Sequence, residues 1–99
     1  MSNMLHIIST TAGHEVLFER IAKGDTLLFI ASAVLSLHKN SLSAEKLLPY
    51  CAHFHCYVLE EDLLARGLDA DDILAEIKRV DYPGFVSLTV ENEVIKTWN

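Results

Sequence analysis

Tyr57-Val58-Leu59-Glu60-Glu61-Asp62-Leu63-Leu64-Ala65-Arg66-Gly67-Leu68 decides how the rest of the chain is read. An apolar strand runs directly into a helix that opens on three acids and stops at Arg-Gly, the glycine being the usual residue just past a helix end. In a parallel α/β protein such a junction is where ligands bind, beyond the carboxyl ends of the strands. Here it carries three adjacent carboxylates and no nucleophile, metal-ligand set or phosphate-cradling glycines. Acids in a first helical turn suit the helix dipole, and each opposes an incoming anion by ~1 kcal/mol at about 6 Å in a watery dielectric.

Upstream of this block the pattern alternates strand and helix. Met4 to Ser9 is an apolar, β-branched run ended by Thr10-Thr11-Ala12-Gly13, which predicts a buried first strand. A first helix is expected from about His14 to Lys23, with Val16, Leu17, Phe18, Ile21 and Ala22 as its apolar stripe. Lys23-Gly24-Asp25 stops it, and Thr26 to Ile30 is a continuous apolar strand of the kind found inside parallel sheets. A turn and short helix are expected within Ala31 to Lys39. A second short helix opens near Ser43 and must end near Pro49. The third strand is read as His53 to Leu59 and its helix as Glu60 to Arg66.

Downstream, Asp69 or Asp71 caps one more helical turn, and Glu76 to Val80 makes a fourth strand. Pro83 to Val90 is ambiguous. Val86, Leu88 and Val90 alternate as in a strand, which pattern alone slightly favours, whereas Asp81 or Tyr82 as cap and Pro83 in the first turn argue for a helix. Val94 to Trp98 is a last short strand at a sheet edge. The sum is one domain, residues 1–99: a three-layer α/β/α arrangement on a mostly parallel sheet of about five short strands.

Composition bounds the function. The chain has 99 residues, 51% of them hydrophobic, and a formal charge of −6 with no run of Lys or Arg. Direct binding to nucleic acid is therefore disfavoured by the electrostatic term that dominates such affinity. The hydrophobic fraction and a mean hydropathy of +0.24 are high for so small a domain and leave apolar surface for partner subunits. No signal-like N-terminus is visible, and the longest apolar stretch, Leu27 to Leu35, is interrupted by Ser32 and too short to span a bilayer. The expectation is a cytoplasmic protein.

Several residues are weighed for chemistry. Cys51 and Cys56, in a C-x4-C spacing, match neither a disulfide scaffold nor a C-x2-C motif. Cys56, mid-strand, is expected to act as a small inert hydrophobe. Cys51, ahead of the strand, is the better candidate for a reactive sulfur, although no Lys or Arg neighbours it in sequence. Cys51, His53 and His55 share one face if the segment is extended, which makes His53 and His55 weak candidate metal ligands that would need a further donor. His6, His14 and His38 pair with no Ser or Asp in a recognisable arrangement. Trp98 is a candidate interface anchor, packed on its own domain or against another chain. No cofactor is expected.

Met4-Leu5-His6-Ile7-Ile8, Gly24-Asp25 before Leu27-Leu28, the Tyr57 to Leu68 block, Asp81-Tyr82 with Phe85-Val86, and Trp98 together resemble the DsrH/TusB family of sulfur-relay subunits, over nearly the whole chain. The resemblance implies a DsrE/F/H-like fold and a helix after Asp81-Tyr82. It implies a heterohexamer with two related DsrE/F-like subunits, TusC-like and TusD-like, two copies of each. It implies a place in sulfur transfer toward the wobble uridine of tRNA, linked to tRNA only through downstream proteins, or in the related dissimilatory sulfur-oxidation complex. The D-type subunit of that family carries its persulfide cysteine at the end of the third strand, which falls near Leu59 here. Cys51 and Cys56 do not match that position, so no catalytic residue is carried over.

Overall fold

The computed structural model describes residues 4–11, 19–92 and 94–98, the side chain of Ser43 aside. Five strands form one sheet in the order β4-β3-β2-β1-β5: β1 (Met4–Ile8), β2 (Thr26–Phe29), β3 (His55–Leu59), β4 (Lys78–Val80) and β5 (Val94–Trp98). All four pairings are parallel. The helices are α1 (Leu42–Leu47), α2 (Glu60–Ala65) and α3 (Tyr82–Glu91).

Strand order dictates where the helices go. From β2 to β4 the chain steps toward one edge, whereas the last connection returns from β4 to the far side of β1. Right-handed crossovers running in opposite directions must lie on opposite faces. Accordingly, one face of Ile8, Leu27, Phe29, Cys56 and Val58 is packed by Ala33, Val34 and Leu37, by Leu47 of α1 and by Leu63 of α2. The other face, Leu5, Ile7 and Leu28, meets Leu88 of α3, with Phe85 and Tyr57 at its margin. The middle strands are buried on both faces, which is why they read as unbroken apolar runs.

Local chemistry fixes the elements. Ser41 caps α1, accepting from the Ala44 amide at 3.0 Å, and Asp81 caps α3 through the Gly84 amide at 2.9 Å. Of the two readings of Pro83 to Val90, the helix stands. After α2, Gly67 takes φ +72, and the Leu68 and Gly67 amides return to Leu63 and Leu64, the paired bonds of a left-handed C-terminal cap. Asp69 caps the short 3-10 turn Ala70–Asp72.

Four boundaries differ from expectation. The expected first helix lies outside the described residues over 14–18; Glu19 and Arg20 are helical and Ile21 to Lys23 are not. There the Asp25 amide closes a turn on the Ala22 carbonyl, and Gly24 adopts φ 89. Pro49 does not end the helical stretch: α1 tightens into a 3-10 turn, Leu48–Ala52, with Pro49 in its first positions, where no amide donor is needed. The third strand begins at His55, because the His53 amide is still bonded to the Tyr50 carbonyl. The fourth begins at Lys78, after Ile77 closes a turn on Leu74. Among the described residues no helix is long and apolar enough to cross a membrane.

Candidate functional site

The carboxyl ends of the strands, where this architecture would place a ligand, are tied together by the chain's own groups. At the β5 edge, the Ser9 amide and hydroxyl both donate to the Trp98 carbonyl, at 3.1 and 3.2 Å, and the Ser32 hydroxyl donates to the Ser9 carbonyl at 3.1 Å. The three acids of α2 continue the lacing. Asp62 accepts from the Ala31 amide at 2.7 Å, Glu61 from the Tyr82 amide at 3.2 Å, and Glu60 pairs with Arg79 at 3.1 Å.

Ala31 opens the 3-10 turn after β2, and Tyr82 opens α3. Their amides are the free donors that would greet an anionic ligand. Each already holds a carboxylate from α2. The acids therefore do more than suit their own helix dipole: two of them fill the places an incoming anion would take. The second oxygen of Glu61 is buried and has no hydrogen-bond partner among the described residues.

Ala31 sits in the left-handed region at φ 52, which costs a non-glycine residue roughly 1–2 kcal/mol. The short bond to Asp62 holds it there. We expect Ala31→Gly to raise stability by about 0.5–1 kcal/mol, since relieved strain outweighs the added freedom of the unfolded chain. Urea midpoints with an unchanged slope would show it, and a lower midpoint would mean that no strain is stored at this turn.

The residues singled out as chemical candidates fall in two other places. Cys51 lies in the 3-10 turn and His53 at its end, so the extended Cys51-Ala52-His53-Phe54-His55 face does not form. The turn nonetheless gathers Cys51, His53, His55 and Cys56 around one pocket of about 290 Å³, with Glu76 and Lys78. Among the described residues no three His, Cys, Asp or Glu side chains are placed to hold a metal ion. Cys56 is buried at 4% exposure and Cys51 is half-buried. Cys51 is held below the usual thiol range, first by its hydrogen bond with Cys56, against burial and the Glu76 carboxylate, which both raise it.

The other place was not anticipated, because His6 does have a carboxylate partner. His6 is buried at 2% exposure in β1, with Nε2 3.0 Å from Asp25 Oδ2. Trp98 Nε1 donates to His6 Nδ1 at 3.0 Å. That bond leaves Nδ1 as acceptor and assigns the ring proton to Nε2, facing Asp25. Burial alone would raise the Asp25 carboxyl, but hydrogen bonds from His6 and from the Ala22 and Met4 amides outweigh it and hold the group below its usual range. The available signal was a histidine inside an apolar strand with an aspartate one residue ahead of the next, parallel strand. Trp98 packs on its own core, and Lys96 lies over its ring at 4.4 Å.

Sheet order and layers define an α/β class shared with two solved proteins. The ychN protein of E. coli superposes with a TM-score of 0.76 at 11% identity, covering 99% of this chain and 100% of that one. A protein of unknown function from Methanobacterium thermoautotrophicum, MTH1491, gives 0.71 at 14% identity, covering 96% of each. These likenesses establish the fold alone. The chain belongs to the DsrH family: the model for DsrH like protein matches residues 9–95. Protein TusB of Photorhabdus laumondii is 35% identical over 83 residues, covering 84% of each chain.

Proposed function

We propose that this chain is a non-catalytic subunit of a cytoplasmic sulfur-relay assembly. It would join two DsrE/F-like (TusC-like and TusD-like) subunits in a heterohexamer that supports 2-thiolation of the wobble uridine of tRNA. Family membership supports the sulfur-relay role. The single observation that carries the non-catalytic reading is the occupied rim, in which the Ala31 and Tyr82 amides are bonded to Asp62 and Glu61; the family resemblance, which puts the sulfur carrier's cysteine near Leu59, agrees with it. With a charge of −6, contact with tRNA passes through other proteins.

Apolar surface supports the assembly. Tyr82, Val86 and Val90 stand one turn apart on the outer side of α3, at 54%, 60% and 79% exposure. On the edge strand β5, Val94 and Ile95 are also exposed, and among the described residues β5 pairs on one side only, so edge and stripe together give partners apolar side chains and backbone groups. Trp98 contributes by fixing β5 to the domain. Co-expression with the two related subunits followed by native mass measurement is expected to give one complex containing all three. A chain that stays monomeric in their presence overturns the reading.

A second reading, persulfide carriage by Cys51, has the Cys56 hydrogen bond in its favour. Feeding sulfane sulfur to the assembled complex and mapping persulfide by mass spectrometry decides it, a competent complex with no persulfide on Cys51 being the expected result.

A further inference from the structure

The two thiols lie at the amino end of β3, away from the laced rim, and the subunit role makes no use of them. Cys51 sits in the 3-10 turn Leu48–Ala52 and Cys56 is the second residue of β3. The Cys51 thiol donates to the Leu47 carbonyl at 3.7 Å, and Cys51 packs against the core cluster that contains Cys56. Both line the pocket shared with His53, His55, Glu76 and Lys78. Cys51 is half-buried beside it, whereas Cys56 belongs to the core. Cys51 is thus the more accessible of the two thiols to a small molecule.

We propose that Cys51 and Cys56 form a redox-active dithiol that reacts with low-molecular-weight disulfides, Cys51 as the attacking sulfur and Cys56 as the resolving one. In the first step the Cys51 thiolate attacks one sulfur of the reagent RSSR. The reagent's S–S bond breaks, RS⁻ leaves and takes up the proton that Cys51 released, and Cys51 carries a mixed disulfide. In the second step Cys56 attacks the Cys51 sulfur, and a second RS⁻ leaves with the Cys56 proton. The dithiol loses two electrons and two protons, which depart as two RSH.

Access assigns the order, because Cys51 is half-buried at the pocket and Cys56 belongs to the core. The hydrogen bond from Cys56 favours the Cys51 thiolate, and a thiolate is the nucleophile in such exchange. Cys56 is pushed far up by its bond to Cys51, by burial and by the Cys51 charge. Closing the bond brings the sulfurs to about 2.05 Å, and the short turn carrying Cys51 moves more readily than a central strand.

The inference concerns the isolated full-length chain and is independent of the subunit reading. The chain is equilibrated with oxidised and reduced glutathione, quenched with acid and alkylated, then measured by intact mass and peptide mapping. The expected product is a chain lighter by two hydrogens with Cys51 linked to Cys56. Cys56→Ala, which keeps a small apolar side chain in the core, is expected to stop with one glutathione on Cys51, and Cys51→Ala to react at least about tenfold more slowly than wild type. In the unaltered protein, brief exposure to an alkylating agent is expected to label Cys51 ahead of Cys56, a readout that needs no variant. An unmodified chain, a wild-type product identical to that of Cys56→Ala, intermolecular dimers alone, or Cys56 labelled first would each overturn the proposal.

Discussion

Replacing His6 with leucine is expected to destabilise the fold by about 3 kcal/mol, a large part of the roughly 5–15 kcal/mol that holds a domain together. His6 is the only side-chain donor to Asp25 and the acceptor for the Trp98 indole among the described residues. Leucine fills the space but leaves a buried carboxylate short of a partner and an indole N–H without an acceptor, each costing about 1–3 kcal/mol. Part of that loss should return when Asp25 is replaced as well, because the double variant no longer buries an unpaired charge. Urea midpoints of the two single variants and the double variant measure the coupling. A coupling near zero would show that the pair contributes nothing as a pair.

The same pair sets an acid limb. The Asp25 carboxyl sits below its usual range in the folded chain, so the unfolded chain binds its proton more readily. The stabilisation it gives is present above the unfolded value of about 3.9 and is lost as pH falls through the lower folded value. Without His6 the largest of the opposing hydrogen bonds is gone, and burial pushes the group back up. In the His6→Leu protein the acid loss of stability from this group should therefore shrink, so the stability gap between wild type and variant narrows as pH falls through the unfolded value.

Val86→Asp combined with Val90→Asp is expected to abolish most assembly while leaving the domain folded. Both side chains point outward from α3, and exposed substitutions usually move stability by no more than about 0.5 kcal/mol. In a contact with another subunit, two unpaired carboxylates would have to be stripped of water. A cost of about 2 kcal/mol corresponds to a loss of roughly thirtyfold in affinity. Native mass spectrometry of the co-expressed proteins, with a thermal scan of the isolated variant beside it, separates the two effects. Undiminished complex would exclude this stripe from the interface.

The parts of the fold written in short-range patterns were legible in the sequence. Apolar runs located the strands and Gly67 located the end of α2, whereas α3 rested on the family resemblance, since the pattern of Pro83 to Val90 slightly favours a strand. Boundaries near Pro49 and His53 were not legible, because a 3-10 turn reuses the residues that normally end a helix. Site features depended on register. Glu61 and Asp62 read as helix-dipole acids, and only the alignment of strand ends shows that their oxygens meet Tyr82 and Ala31. His6, Asp25 and Trp98 are separated by 19 and 92 positions along their two contacts, beyond any local spacing rule. The thiol pair is hidden for the reverse reason: Cys51 and Cys56 lie close in sequence, but in a C-x4-C spacing that matches no standard motif, and only the 3-10 turn brings both to one pocket.

Trp98 is the chain's only tryptophan, and its indole is fastened to His6 across the seam between β5 and β1. An edge strand is the part of a sheet that opens most easily, well before global unfolding. Indole fluorescence therefore reports the peeling of this one strand, while circular dichroism reports the melting of the whole. The chain carries its own optical gauge of whether the border of the sheet is shut.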